Sequence, residues 1–159
     1  MKKVLISTVT ALLLVIIITG IGLAALPQKE ASGTFVTTST TIISEMDDKF
    51  NTVIDLRSVV AYTGTLEGTS TLEGTLIVYR DESASFQGVE TFTGLVNGIP
   101  GTLTFKLQGS SDLYQAIQIN NTITSGTGVL ASLHGELSKA GIIKDNGPVG
   151  TYTGQISNQ

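Results

Sequence analysis

From Ala84 to Gly94 the chain alternates: Ala84, Phe86, Gly88, Glu90, Phe92 and Gly94 fall on one face, Ser85, Gln87, Val89, Thr91 and Thr93 on the other. A period of two marks a strand with one buried face. Beyond Ser32 the chain is rich in Thr, Gly, Val and Ile, with almost no helical period. β-Branched residues pack well on a pleated surface, and glycines at short intervals mark turns, bulges or close backbone approach. The pattern predicts strands at Gly33–Ile43, Val53–Thr63, Thr69–Arg80, Ala84–Gly94, Ile99–Leu107, Leu113–Ile119, Gly128–Leu137 and Gly150–Ile156. Asp47-Asp48, Asp81-Glu82-Ser83, Asn97-Gly98, Gly109 to Asp112 and Asp145-Asn146-Gly147-Pro148 supply turns between them. Eight strands at this spacing predict an all-β sandwich or closed barrel, and closure removes edges that would template aggregation.

Thr65-Leu66-Glu67-Gly68-Thr69 and Thr71-Leu72-Glu73-Gly74-Thr75 repeat one pentapeptide. A β-helix would need more than two copies, so the repeat reads as a bent strand pair with glycine kinks. An outer-membrane barrel would carry a lipid-facing apolar band on alternate residues. Thr, Ser, Gln and Glu occupy many of those positions here.

The first 26 residues follow a different pattern. After Lys2 and Lys3, positions 4–26 carry no charge and include Leu12, Leu13, Leu14, Val15, Ile16, Ile17 and Ile18. A helix needs about 20 apolar residues to cross a bilayer, so the run predicts a hydrophobic helix acting as a membrane anchor. Gly22 and Ala24 also form a small-x-small arrangement that fits a cleaved signal peptide. Positive residues stay cytoplasmic, which places the remainder outside, either tethered to the cytoplasmic membrane or secreted. Residues 27–32 then read as a short linker and 33–159 as the β domain.

The net charge is −4, and setting aside Lys2 and Lys3 leaves −6 on the rest. Lys29, Lys49, Arg57, Arg80, Lys106, Lys139 and Lys144 are scattered singly among acids. Nucleic-acid binding relies on clustered cations, so the pattern argues against it. With no cysteine, a disulfide, a thiolate metal site and a Cys nucleophile are all excluded.

Glu90 shares a face with Phe86 and Phe92. A buried carboxylate must be neutral or hydrogen-bonded, so Glu90 is a candidate acid–base group or polar anchor, and equally a structural glutamate in a filled interior. Tyr62, Tyr79, Tyr114 and Tyr152 are candidate phenolic partners. Phe86, Glu90, Phe92, Tyr62 and Tyr79 together form the candidate ligand-binding set. His134, the single histidine, alternates with Ser132 and Glu136 opposite Leu133, and is expected to be exposed. Phosphate loops, nucleophile elbows and metal-ligand spacings are missing, so neither a metal nor another cofactor is implied. Ser125-Gly126-Thr127-Gly128 precedes no helical pattern and reads as a bulge or tight strand entry. Asn120-Asn121-Thr122 is a glycosylation sequon, a frequent chance match.

From Gly33 to Ile156 the chain resembles the DUF3224 family, a domain of unknown function. The resemblance rests on Tyr62-Thr63-Gly64 with Gly68, on Tyr79, and on Ala84-Ser85-Phe86-Gln87-Gly88-Val89-Glu90 with Gly94 and Gly101. It continues through Ser125-Gly126-Thr127-Gly128 with Leu130, Leu133 and Gly135, and through Gly150-Thr151-Tyr152. It implies an eight-stranded antiparallel closed barrel similar to allene oxide cyclase and dirigent proteins, and supplies no activity. The family often has a His where this chain aligns Gly109.

Three functions follow as expectations. The first is non-catalytic binding of a small apolar ligand at the membrane surface, because ligand pockets pair an apolar lining with a few polar groups. The second is a structural, self-associating envelope domain, in which the partner is another copy of the chain. The third is a cyclase or isomerase acting on a lipid-derived substrate with Glu90 as acid–base, which rests on analogy of fold alone.

Overall fold

The computed structural model describes residues 28–112 and 116–158. The apolar run 4–26 and Tyr114 lie outside the described residues. No helix among the described residues is long and apolar enough to cross a membrane.

Eight strands make up almost all of the described chain: β1 (Lys29–Asp47), β2 (Asn51–Gly64), β3 (Leu66–Tyr79), β4 (Ser83–Val96), β5 (Ile99–Asp112), β6 (Ile117–Gly126), β7 (Leu133–Lys144) and β8 (Gly147–Asn158). Each pairs antiparallel with the next, and β1 pairs with β8 from Lys29↔Ile156 to Val36↔Val149, which closes the ring into a barrel. All eight expected strands are present, with shifted ends. β1 begins at Lys29, so Lys29–Ser32, expected as linker, is already paired with β8. The expected Gly109–Asp112 turn is the end of β5. β6 and β7 start later than expected and run further, because inward polar residues such as Asn121 and Lys139 hide strand continuity from an apolar count.

The repeat of Leu-Glu-Gly lies on one strand, β3, and not on a bent pair. Six residues is an even number, so both copies present the same faces. Leu66 and Leu72 point inward and are buried, while Gly68 and Gly74 stand opposite Gly94 and Gly88 of β4. A Cβ on Gly74 would lie 2.4 Å from the Gln87 carbonyl oxygen and 2.6 Å from the Phe86 ring. The missing side chains thus let the two backbones coil closely and seat Phe86 over the gap, as glycine corners covered by aromatics do in closed sheets.

One end of the lumen is filled. Leu66, Val96, Leu103, Leu133 and Ile156 are buried there, and a 3-10 turn at Gly128–Leu130 adds Leu130. The Ser125–Gly128 motif makes this plug: Gly128 takes φ +58, and Thr127 Oγ1 accepts from the Thr102 N–H at 3.0 Å. Gly101 matters beside it, since a Cβ there would lie 2.7 Å from Leu130 Cδ1. Leu130→Ala should therefore destabilise the domain by about 2–5 kcal/mol in urea unfolding without changing strand content by circular dichroism. An unchanged midpoint would show that Leu130 is no plug.

Candidate functional site

Halfway along the lumen the apolar filling stops at a polar belt. Glu90, on β4 opposite Leu72 and Phe105, points inward at 0% exposure. Four donors from four strands converge on it. Tyr62 Oη of β2 and Ser70 Oγ of β3 donate to Oε1 at 2.6 and 2.5 Å. Lys139 Nζ of β7 and Asn121 Nδ2 of β6 donate to Oε2 at 2.8 and 3.0 Å. Lys139 is itself 2% exposed, so this is a fully buried ion pair. Its ammonium also sits 4.9 Å from the Tyr62 ring centroid and 5.4 Å from that of Phe35, a favourable cation–π arrangement when desolvated.

The charges follow from these contacts. Burial alone would raise the Glu90 carboxyl, but the Lys139 ammonium and the Ser70 and Tyr62 hydroxyls outweigh it and hold Glu90 below its ordinary 4.5. Burial pushes Lys139 below its ordinary 10.5, and Glu90 opposes that shift. Burial and the Glu90 charge push the Tyr62 hydroxyl well above the usual tyrosine value, so it stays a donor. Asn121 Oδ1 accepts no hydrogen bond from the described residues. The carboxylate dictates that orientation, since a reversed amide would aim oxygen at oxygen.

On the other side of this belt, away from the Leu130 plug, the lumen is not filled. A cavity of about 210 Å³ opens between the strand ends, lined by Leu56, Leu72, Leu76, Phe86, Ile117 and Ile119 among others. Thr37, Thr40, Ser58, Ser110 and Ser111 contribute hydroxyl-bearing wall, and Lys139 is the single charged residue lining it among the described residues. A cavity of about 150 Å³ with an aliphatic and aromatic wall takes up benzene. This one has room for slightly more.

The sequence-derived candidates are distributed through this architecture. Phe86 lines the cavity. Glu90 and Tyr62 form the belt, and Phe92 is fully buried edge-to-face against Tyr62 at 5.8 Å between ring centroids. Tyr79 stands apart at the rim, 38% exposed, with its hydroxyl 2.8 Å from Ser85 Oγ. Tyr152 is buried but directed at backbone: its hydroxyl accepts from the Leu66 N–H and donates to the Thr63 carbonyl. His134 is exposed, as its alternation predicts. Sequence reasoning missed Ser70, Asn121 and Lys139. Parity could have found all three: Ser70 continues Leu66 and Leu72, Asn121 continues Ile117, Ile119 and Ile123, and Lys139 continues Leu133 and Leu137.

The DUF3224 family, described as a protein of unknown function, matches residues 31–153. A crystal structure of a protein of unknown function from the DUF3224 family of Shewanella oneidensis MR-1 is similar in fold. It superposes with a TM-score of 0.69 at 17% identity, covering 84% of this chain and 99% of that one. Among curated proteins, none matches.

Breaking a buried ion pair from one side leaves an uncompensated charge, which costs about 3–5 kcal/mol. Glu90→Gln should lose that much in urea unfolding at pH 7, and Lys139→Met with Glu90→Gln should recover part of it. The pH dependence has a definite sign. The folded-state value of Glu90 lies below 4.5, so on acidification the unfolded chain takes up the proton first. The stabilisation is complete above about pH 4.5 and is lost as pH falls through the lower folded-state value. The stability advantage of the natural chain over the double variant should therefore shrink below that pH; a constant difference would contradict the assignment.

Proposed function

Because the chain belongs to the DUF3224 family, whose description names no activity, we propose from the lumen itself that the domain binds a small apolar molecule and performs no chemistry on it. The observation that carries this reading is the half-filled interior. Eight-stranded barrels are wide enough either to be filled by their own side chains or to hold one small ligand. Here the same lumen does the first at one end and leaves a cavity of about 210 Å³ at the other. Leu76, Phe86 and Ile119 remain partly exposed on its wall, an apolar area whose burial by a ligand would be favourable.

An acid–base role for Glu90, as in a cyclase or isomerase of the allene-oxide-cyclase kind, has less support. Both carboxylate oxygens are occupied by donors, the group is held in its charged form, and Lys139 rather than Glu90 lines the cavity. A general base needs a free lone pair within reach of the proton it takes.

The N-terminal run bears on where binding takes place. β1 enters the barrel at the filled end, where Lys29 pairs with Ile156. If residues 4–26 anchor the chain in the cytoplasmic membrane with the domain outside, the cavity opens at the end away from the anchor's attachment. The ligand would then arrive from the extracytoplasmic space.

One observation favours self-association as a second property. Among the described residues β1 has no β8 partner beyond Val36, and the projecting β1–β2 hairpin exposes Ile43, Met46 and Phe50 at 61, 65 and 60%. An unpaired strand edge with exposed apolar residues is a site for pairing with another chain. Sedimentation of the full chain should show a dimer that Ile43→Lys with Met46→Lys dissociates; a monomer at every concentration would remove this second property.

Ligand binding can be read through a tryptophan, because the sequence has none. Ile143 lines the cavity at its rim and is 44% exposed, so Ile143→Trp places a reporter there without filling the lumen. Titration with methylcyclohexane should give a saturable emission change. The inward Ala84 offers a block: Ala84→Phe in the same background should abolish the change. A response that does not saturate, or that survives the block, would refute lumen binding.

A further inference from the structure

We infer that the molecule held in the lumen is a neutral apolar compound carrying one carbonyl oxygen, seated with that oxygen on Lys139. The inference rests on the ligand-binding reading above and adds the chemical class of the ligand.

Lys139 is the one charged residue on an otherwise aliphatic, aromatic and hydroxyl-bearing wall among the described residues. An ammonium has three donors. Glu90 Oε2 takes one at 2.8 Å, and among the described residues the other groups against Nζ are the ring faces of Tyr62 and Phe35 at 4.9 and 5.4 Å. The rings attract the charge without accepting a conventional hydrogen bond. Donor capacity is therefore left over beside a cavity with little polar surface of its own.

Each class of head group meets a different environment there. A hydrocarbon offers Lys139 no acceptor, and a buried donor without one is costly. A carboxylate offers an acceptor but brings a second negative charge next to Glu90, whose own charge already neutralises Lys139. Among the described residues Lys139 is the only buried cation, so the added anion would stay uncompensated. An amine is repelled by the ammonium. A ketone, aldehyde or ester supplies the lone pairs and no charge, so the site remains neutral. The hydroxyls of Tyr62 and Ser70 reinforce this choice. Both are directed at Glu90 Oε1, which keeps Glu90 ionised and fixes it as the permanent counterion of Lys139.

Three compounds on one carbon frame test the class: methylcyclohexane, cyclohexyl methyl ketone and cyclohexanecarboxylate, each titrated into the full chain carrying Ile143→Trp at pH 7. The ketone should bind about tenfold tighter than the hydrocarbon, the preference that one hydrogen bond to a charged donor of about 1.4 kcal/mol supplies, and the carboxylate should bind weakest. Replacing both Lys139 by Met and Glu90 by Gln removes donor and counterion together without stranding a charge, and should bring ketone and hydrocarbon to within about twofold. Equal affinity for ketone and hydrocarbon in the natural lumen would overturn the inference and leave lumen binding standing. So would a carboxylate that binds as tightly as the ketone, or a ketone preference that survives the double replacement. If none of the three binds, lumen binding itself is refuted and the inference falls with it.

Discussion

A single buried ion pair sets the plan of the lumen. Taking a carboxylate and an ammonium out of water costs several kcal/mol per ion, and the attraction between them offsets this only when the geometry is good and the remaining lone pairs are satisfied. Glu90 meets those terms, with Lys139, Tyr62, Ser70 and Asn121 arriving from four other strands. Each donor must sit within hydrogen-bond reach of the same two oxygens. The relative registers of β2, β3, β4, β6 and β7 are therefore tied to one another through the interior as well as through the backbone ladder. Slipping any of those strands by one residue would turn its donor outward.

The pair also divides the barrel. On one side, leucines, phenylalanines and the Leu130 plug fill the interior; on the other, apolar walls face a cavity. Packing cannot pass smoothly through a charged layer, because side chains beside it have to accommodate both the ions and their partners. Small residues at the cavity end preserve the space: Gly74 and Gly88 face each other beneath the Phe86 ring, and Ala84, Ser110 and Ser111 stand where larger side chains would close the mouth. The belt thus serves the fold by fixing register and defines a pocket by ending the core.

Much of this was legible in the residues. Alternation across Ala84–Gly94 placed Glu90 between Phe86 and Phe92 on the inner face, and the strand and turn signals counted eight strands. Tyr62 was correctly among the possible partners of Glu90. Lys139 was not, because a lysine after Leu137 reads as the solvated end of a strand; only the inward parity set by Leu133 and Leu137 carries it into the lumen. Asn121 was lost for a related reason, since the polar run Asn120-Asn121-Thr122 looks like a loop when one of its side chains is buried for its hydrogen bond. The long projecting β1–β2 hairpin was illegible because the bulges between Thr37 and Ser39 and between Ile42 and Ser44 break the period-two pattern.

A mostly apolar, ligand-sized space stands ready-made above the Glu90–Lys139 pair. Xenon enters dry apolar cavities of this size and marks them by its electron density. Crystals of the full chain held under xenon should show a xenon peak between Leu76, Phe86 and Ile117, on the Lys139 side of the lumen and absent from the Leu130 end. A lumen without xenon, with those side chains collapsed onto one another over Lys139, would contradict it.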